Sequence, residues 1–261
     1  MEKKCRIGFL DSGVGGLSVL ACAKRFIPEA EYIYYADTDN VPYGTKTHGE
    51  IISYVEKAMR CLTDLGVSAI VIACNTATSI AAQTMREKYD LPIIGMEPAL
   101  KPAAMRHPNG KILVCATKVT IEGEGLRSLI ATTGSDPDLA AMPELVTFAE
   151  RGIFDKETIN VYLRNKIEKS EQYSAVVLGC THFTYFREAF AEAFPRAEII
   201  DGNIGAVKRL ASVTGLELTE KNCKSDSKTV YLRSGREIND EQEIESFRLY
   251  ENRMSDCYSN L

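Results

Sequence analysis

Two cysteines close two stretches of this chain that are near copies of each other. Ala69-Ile70-Val71-Ile72-Ala73-Cys74-Asn75-Thr76 reads against Ala175-Val176-Val177-Leu178-Gly179-Cys180-Thr181-His182, with the thiols 106 positions apart. Each stretch is a run of aliphatic or small residues, one tiny residue, the cysteine, and then small polar groups. A second pair, Ile7-Gly8-Phe9-Leu10-Asp11-Ser12 and Ile112-Leu113-Val114-Cys115-Ala116-Thr117, repeats at an offset of 105. Two matches at nearly one offset imply two related halves, and facing halves would set two thiols across a cleft. A cysteine protease would need one thiol with a histidine, and a redox enzyme would need the two sulfurs close enough to bond. A third chemistry needs neither: one thiolate removes a proton from one face of a carbon while a thiol on the other face delivers one. That inverts a stereocentre. A free thiol has a pKa of about 8.5, so a drop of roughly one to two pH units gives a useful thiolate fraction at neutrality.

The groups beside the thiols suit proton traffic. Asp11 near Cys74 and His182 near Cys180 could manage the protons on each side, and imidazole beside a thiol is a common way to activate sulfur. Ser12, Asn75, Thr76, Thr117 and Thr181 could hold a polar, charged substrate. Asp11-Ser12-Gly13-Val14-Gly15-Gly16 joins a strand to a helix, where backbone N–H groups can cradle an anion or glycines can simply allow a tight turn. The dinucleotide fingerprint needs glycine where Ser18 stands, and the Walker lysine is missing, so a nucleotide site is disfavoured. Pro42-Tyr43-Gly44 and Glu150 say little when taken singly, and His48 and His107 are assigned no role.

These residues must be positioned by regular elements. Val- and Ile-rich runs cut off by polar clusters predict buried parallel strands at residues 6–10, 31–36, 68–73, 93–95, 111–116, 144–147, 175–179 and 198–201. Helical spacing predicts helices at 17–25, 50–65, 79–88, 123–132, 156–169, 185–194 and 203–213. Residues 228–233 read as a late strand returning to the first sheet, and the polar stretch past about residue 250 as frayed. Alternating strands and helices predict an α/β fold: two similar doubly wound parallel-sheet domains related by pseudo-symmetry, with the active site in the cleft between them. The expected boundaries are 1–96 plus 208–261 for the first domain and 97–207 for the second. In open parallel sheets ligands sit beyond the carboxyl ends of the strands, where Asp11, Cys74, Thr117 and Cys180 all fall.

Composition limits the alternatives. With 261 residues the chain has room for two small α/β domains, and 45% hydrophobic with 26% charged residues is ordinary for a globular protein. A formal charge of −5 without a long basic run argues against a nucleic-acid surface. No stretch approaches the roughly 20 apolar residues of a membrane span, and residues 1–4 lack a signal-peptide core, so a cytoplasmic protein is expected. The eight cysteines never stand two or three apart, which disfavours zinc ribbons and thioredoxin-like motifs. Most should be small buried hydrophobes.

Several spaced blocks together resemble the glutamate racemase family, within the cofactor-independent aspartate/glutamate racemase superfamily. They are residues 7–19 (IGFLDSGVGGLSV), 42–44 (PYG), 73–78 (ACNTAT), 95–103 (GMEPALKPA) and 178–183 (LGCTHF), in the family's order. The resemblance implies that Cys74 and Cys180 are the two acid/base thiols, Cys180 acting on the L enantiomer and Cys74 on the D. It implies that Asp11 and His182 assist them, that Glu150 is a further acidic catalytic residue, and that Ser12, Tyr43, Gly44, Asn75, Thr76, Thr117, Thr120 and Thr181 contact substrate. It also implies a homodimer without pyridoxal phosphate or metal, making D-glutamate for bacterial peptidoglycan. Histidine rather than glutamate after Cys180-Thr181 favours glutamate over aspartate as substrate. Two alternatives remain: a homologue that binds an amino acid or regulates without turnover, and a racemase for aspartate or another amino acid. Two blocks depart from the family's pattern. Ile121 and Gly123 replace its usual Val and Ser, and Phe183-Thr184-Tyr185 replaces its usual Tyr-Pro-Leu.

Overall fold

The computed structural model describes residues 5–167, 170–219 and 227–255. Cys223 and Cys257 lie outside them. The first half runs β1 (Arg6–Asp11), α1 (Leu17–Phe26), β2 (Glu31–Ala36), α2 (His48–Asp64), β3 (Ala69–Ile72), α3 (Asn75–Lys88), β4 (Ile93–Gly95) and α4 (Leu100–Arg106). The second runs β5 (Lys111–Ala116), α5 (Lys118–Glu122), α6 (Glu124–Thr133), β6 (Asp138–Ala141), α7 (Pro143–Glu150), α8 (Lys156–Lys166), β7 (Tyr173–Leu178), α9 (Arg187–Ala193) and β8 (Glu198–Asp201). The chain ends with α10 (Asn203–Thr214), β9 (Thr229–Arg233), β10 (Arg236–Glu237) and α11 (Glu241–Ser255).

The strands form two sheets, ordered β10-β9-β2-β1-β3-β4 and β6-β5-β7-β8, parallel except for the β10–β9 pair. Counted within each half, the first four strands lie in the same 2-1-3-4 order. The sequence matches fall on equivalent strands, β1 with β5 and β3 with β7. Side chains alternate across each strand, as a pleated sheet requires. On β3, Ala69 and Val71 face one core while Ile70 and Ile72 face α2 and α3. On β7, Val176 and Leu178 face that same first core while Ala175 and Val177 face the side of α4 and α6. One continuous apolar core therefore runs from the first sheet to the second, and each sheet keeps a smaller core on its other face. No helix among the described residues is long and apolar enough to cross a membrane.

Three expectations change. The stretch expected as a strand at 144–147 is the middle of α7, and the strand beside β5 is β6 instead. Pro143 stands at the start of that helix, and Leu145, Val146 and Ala149 are its buried positions. That spacing is helical, and Glu150 is the helix's last residue. Helix α3 begins at Asn75, four residues earlier than expected, because Cys74 itself caps it. The chain past residue 250 is not frayed as far as Ser255: Glu251 and Met254 on α11 are buried.

Helix α11 docks on α1 and β9 through a buried polar triangle. Lys24 Nζ donates to Glu251 Oε2 at 2.6 Å and to Tyr231 Oη at 3.3 Å, and Tyr231 Oη donates to Glu251 Oε1 at 2.5 Å. Removing one partner of a buried ion pair leaves an uncompensated charge. Glu251→Ala is therefore expected to lower the unfolding free energy by about 3 kcal/mol, read from urea denaturation. A loss within error of zero would mean that Lys24 finds water instead.

Candidate active site

In open parallel sheets the crevice opens where strand order reverses, between the first and third strands. Here that places it at the carboxyl ends of β1 and β3 in one half and of β5 and β7 in the other. Asp11 ends β1 and Ser12 follows it, Cys74 follows β3, Thr117 follows β5, and Cys180 to His182 follow β7. All are buried, the two thiols only 7% exposed each.

The thiols differ because their strands end differently. β3 leads directly into α3, and Cys74 is its N-cap: the sulfur accepts from Ala77 N at 3.5 Å and donates to Ser12 Oγ at 3.7 Å. After β7 a 3-10 turn, Thr181–Phe186, comes first, and Cys180 makes no cap. Its sulfur lies 3.7 Å from His182 Nδ1 instead. The far nitrogen, His182 Nε2, is 2.6 Å from Glu150 Oε1.

The charges follow from these contacts. Burial, then the Asp11 charge, push the Cys74 thiol up to about 12, against the opposing Ala77 N–H. Cys74 therefore rests protonated. Burial works against a charged His182, but the hydrogen bonds and charges of Cys180 and Glu150 outweigh it and lift the imidazole well above its ordinary range. Asp11 is fully buried, and burial raises its carboxyl, with His182 and the Gly13 N–H pulling the other way. Its hydrogen bonds come from Gly13 N at 3.0 Å and Thr181 Oγ1 at 3.1 Å. Its influence on Cys74 is through charge alone.

The remaining expected contacts divide into two groups. Thr76, Thr117 and Thr120 bring three hydroxyls together across the halves: Thr76 Oγ1 is 2.9 Å from Thr117 Oγ1, which donates to Thr120 Oγ1 at 3.0 Å. A Cβ on Gly44 would lie 3.3 Å from Thr117 Cβ, so Gly44 lies against this cluster. Tyr43 and Asn75 turn their polar ends elsewhere. Tyr43 Oη donates to Asp37 Oδ2 at 2.7 Å, and Asn75 Nδ2 donates to the Met96 carbonyl at 3.2 Å. Asp37 is missing from the sequence reading although buried; its carboxylate also accepts from Asn40 and Ser234. The signal was a carboxylate just past the end of β2, beside Asp11, the last residue of β1.

The glycine-rich turn has a reason other than anion binding. A Cβ on Gly13 would collide with the Glu150 carboxylate, and one on Gly15 with Thr181 Oγ1 and the His182 ring. Both glycines let the second half approach the β1–α1 turn.

Comparisons with known proteins show where the chain belongs. The family model described as Asp/Glu/Hydantoin racemase matches residues 18–210. A glutamate racemase of Halothermothrix orenii is 42% identical over 247 residues, covering 93% of this chain and 97% of the relative. Glutamate racemase 2 of Bacillus subtilis is 40% identical over 256 residues, covering 94% and 95%. The crystal structure of Escherichia coli glutamate racemase with L-glutamate and the activator UDP-MurNAc-Ala superposes with a TM-score of 0.80 at 28% identity, covering 95% of this chain and 96% of that one.

The unequal thiols can be read directly. At pH 7 iodoacetamide is expected to alkylate Cys180 at least about tenfold faster than Cys74, since the thiolate is the nucleophile and only Cys180 has an imidazole partner. Peptide mass spectrometry resolves the two sites. Gly13→Ala should erase the preference by displacing Glu150 from His182; equal rates in the parent would contradict the charge assignment.

Proposed function

The chain belongs to the Asp/Glu/hydantoin racemase family, and we propose that it interconverts L- and D-glutamate by passing the Cα proton between Cys180 and Cys74. The observation that carries this reading is that two thiols at equivalent strand ends have different proton partners, His182 for one and a protonated resting state for the other. Identity of about 40% to glutamate racemases over more than nine-tenths of the chain supports the substrate.

In the L-to-D direction the Cys180 sulfur takes the α-proton while the His182 imidazolium, backed by Glu150, stabilises the thiolate before transfer. The Cα–H electron pair stays on the carbon and spreads into the adjoining carboxylate. Cys74 then gives its S–H proton to the opposite face and is left as a thiolate. That thiolate is the base for the D enantiomer, so the reverse reaction runs through the same atoms with the roles exchanged. The developing charge at Cα forms beside buried donors, where fixed dipoles act more strongly than in water. The hydroxyls of Thr76, Thr117, Thr120, Thr181 and Ser12, with the backbone of Asn75, Tyr43 and Gly44, are the groups we assign to substrate carboxylates and ammonium.

Two thiols suffice to accept and to donate the proton, so the reaction as written needs neither pyridoxal phosphate nor a metal. The reading extends to a cytoplasmic homodimer that supplies D-glutamate for peptidoglycan and so for cell-wall synthesis and cell shape. It takes residues 1–96 with 208–261, and 97–207, as its two domains, in keeping with which strands share a sheet.

Proton NMR of L-glutamate in D₂O with the purified protein and no added cofactor tests the chemistry. The α-proton signal should disappear as D-glutamate appears on a chiral column. Binding with an unchanged α-proton would favour a binding or regulatory protein, and exchange with aspartate but not glutamate would move the substrate. Cys74→Ala and Cys180→Ala should each lower racemisation by roughly 100- to 10,000-fold, and near-parental turnover in either variant would remove the two-thiol mechanism.

A further inference from the structure

Glu150 is held from outside the reacting groups. The Val14 N–H donates to its Oε1 at 2.9 Å, the same oxygen that meets His182. Three phenols donate to the peptide carbonyls around this bond. Tyr34, on β2, donates to Gly13 O at 2.6 Å. Because C=O and N–H point opposite ways across a trans peptide, this aims the Val14 N–H at Glu150. Tyr185, in the 3-10 turn after Cys180, donates to Val14 O at 2.7 Å. Tyr250, on α11, donates to Ala149 O at 2.8 Å, in the peptide that carries Glu150 N.

The phenols come from three separate parts of the chain, and two of them share one aromatic cluster. Tyr185 and Tyr250 meet at 5.4 Å between centroids, with Phe154 edge-on to both and the Arg253 guanidinium 3.9 Å over Phe154. Burial pushes all three phenols up, well above the ordinary value for Tyr34 and Tyr185, so they remain protonated donors.

We propose that Tyr34, Tyr185 and Tyr250 are positioning residues for the Cys180 side of the reaction, fixing the peptides that hold Glu150 Oε1 against His182 Nε2. The inference rests on the proposed role of Cys180 and adds that α11, far from it in sequence, sets the geometry of its imidazole. Without the hydroxyls Glu150 can swing from His182, and the imidazolium that supports the thiolate weakens. Asp11 and Cys74, together with these three phenols, are the other titratable groups facing the Cys180–His182–Glu150 line.

Tyrosine-to-phenylalanine variants keep the rings and remove only the donors. Tyr185→Phe and Tyr250→Phe should each lower kcat roughly 3- to 10-fold with little change in KM, the size expected for one hydrogen bond. Iodoacetamide capture of Cys180 at pH 7 should slow by a similar factor, while Cys74 is unaffected. Tyr173→Phe removes a hydroxyl bonded to Asp138, away from the site, and should change neither readout. If Tyr185→Phe does not fold, Tyr250→Phe and Tyr34→Phe carry the same test. Parental Cys180 capture in the folded variants, or equal slowing of both cysteines, would reduce the phenols to packing. Thiol capture needs no glutamate, so it decides the positioning role even if the substrate assignment fails.

Discussion

One carboxylate oxygen ties the site together. Glu150 Oε1 accepts from the Val14 N–H in one half and lies within hydrogen-bond distance of His182 in the other. A carboxylate this enclosed is tolerable only when its lone pairs are satisfied, and these two partners are available only where the halves meet. The glycines of the β1–α1 turn follow from the same constraint, since a side chain at Gly13 would occupy the space of that carboxylate. The sulfur of Cys180 depends on it in turn, through the imidazole. Contact between the halves and the placing of the imidazole beside one thiol are therefore one interaction seen from two sides.

A duplicated fold provides two equivalent strand ends, and the residues that follow make them unequal. Cys74 leads into a helix and is pinned as its cap, where the helix N-terminus favours a thiolate. Burial and Asp11 overcome that preference and leave a proton on the sulfur. Cys180 is released from capping by the 3-10 turn and meets the ring two residues on. Two unlike thiol environments thus arise from one repeated strand-to-loop junction, by a change in how the chain continues after the cysteine.

Much of this was legible from residue types. The paired apolar runs place β1, β3, β5 and β7 and predict the two-sheet repeat, because a buried strand has few compositions that work. Asp11, Cys74, Thr117, Cys180 and His182 could be named because ligand crevices follow strand ends, whereas Tyr43, Gly44, Thr120 and Glu150 rested on the family resemblance alone. The sequence misled where a short apolar run fits two periods: Leu145, Val146 and Ala149 read as strand until Pro143 is taken as a helix start. It was silent on α11. The pattern Ile244, Phe247, Tyr250, Met254 has helical spacing, but strongly charged flanks hide it, and its burial depends on Tyr34, Tyr185 and Phe154 far away in the chain. Asp37 and the three phenols act through hydrogen bonds to distant partners, for which no local pattern exists.

The inequality of the two thiols raises a question of balance. Enantiomers have equal free energy in water, so the equilibrium constant of a racemisation is one. The ratio kcat/KM must then be the same in both directions, whatever the protein does to either side. Strengthening the His182 support of Cys180 lowers the barrier for both enantiomers alike, because both directions cross the same transition states. What such support can change is the distribution of protons in the resting protein, and hence which enantiomer meets a ready base. With Cys74 protonated and Cys180 beside an imidazolium, the proposed reaction starts from the L form. On the proposed mechanism each L-to-D turnover leaves the thiols in the opposite state, and they must exchange protons before the next. Asp11, hydrogen-bonded to Thr181 and acting on both Cys74 and His182 through its charge, is the buried group placed between the two arms.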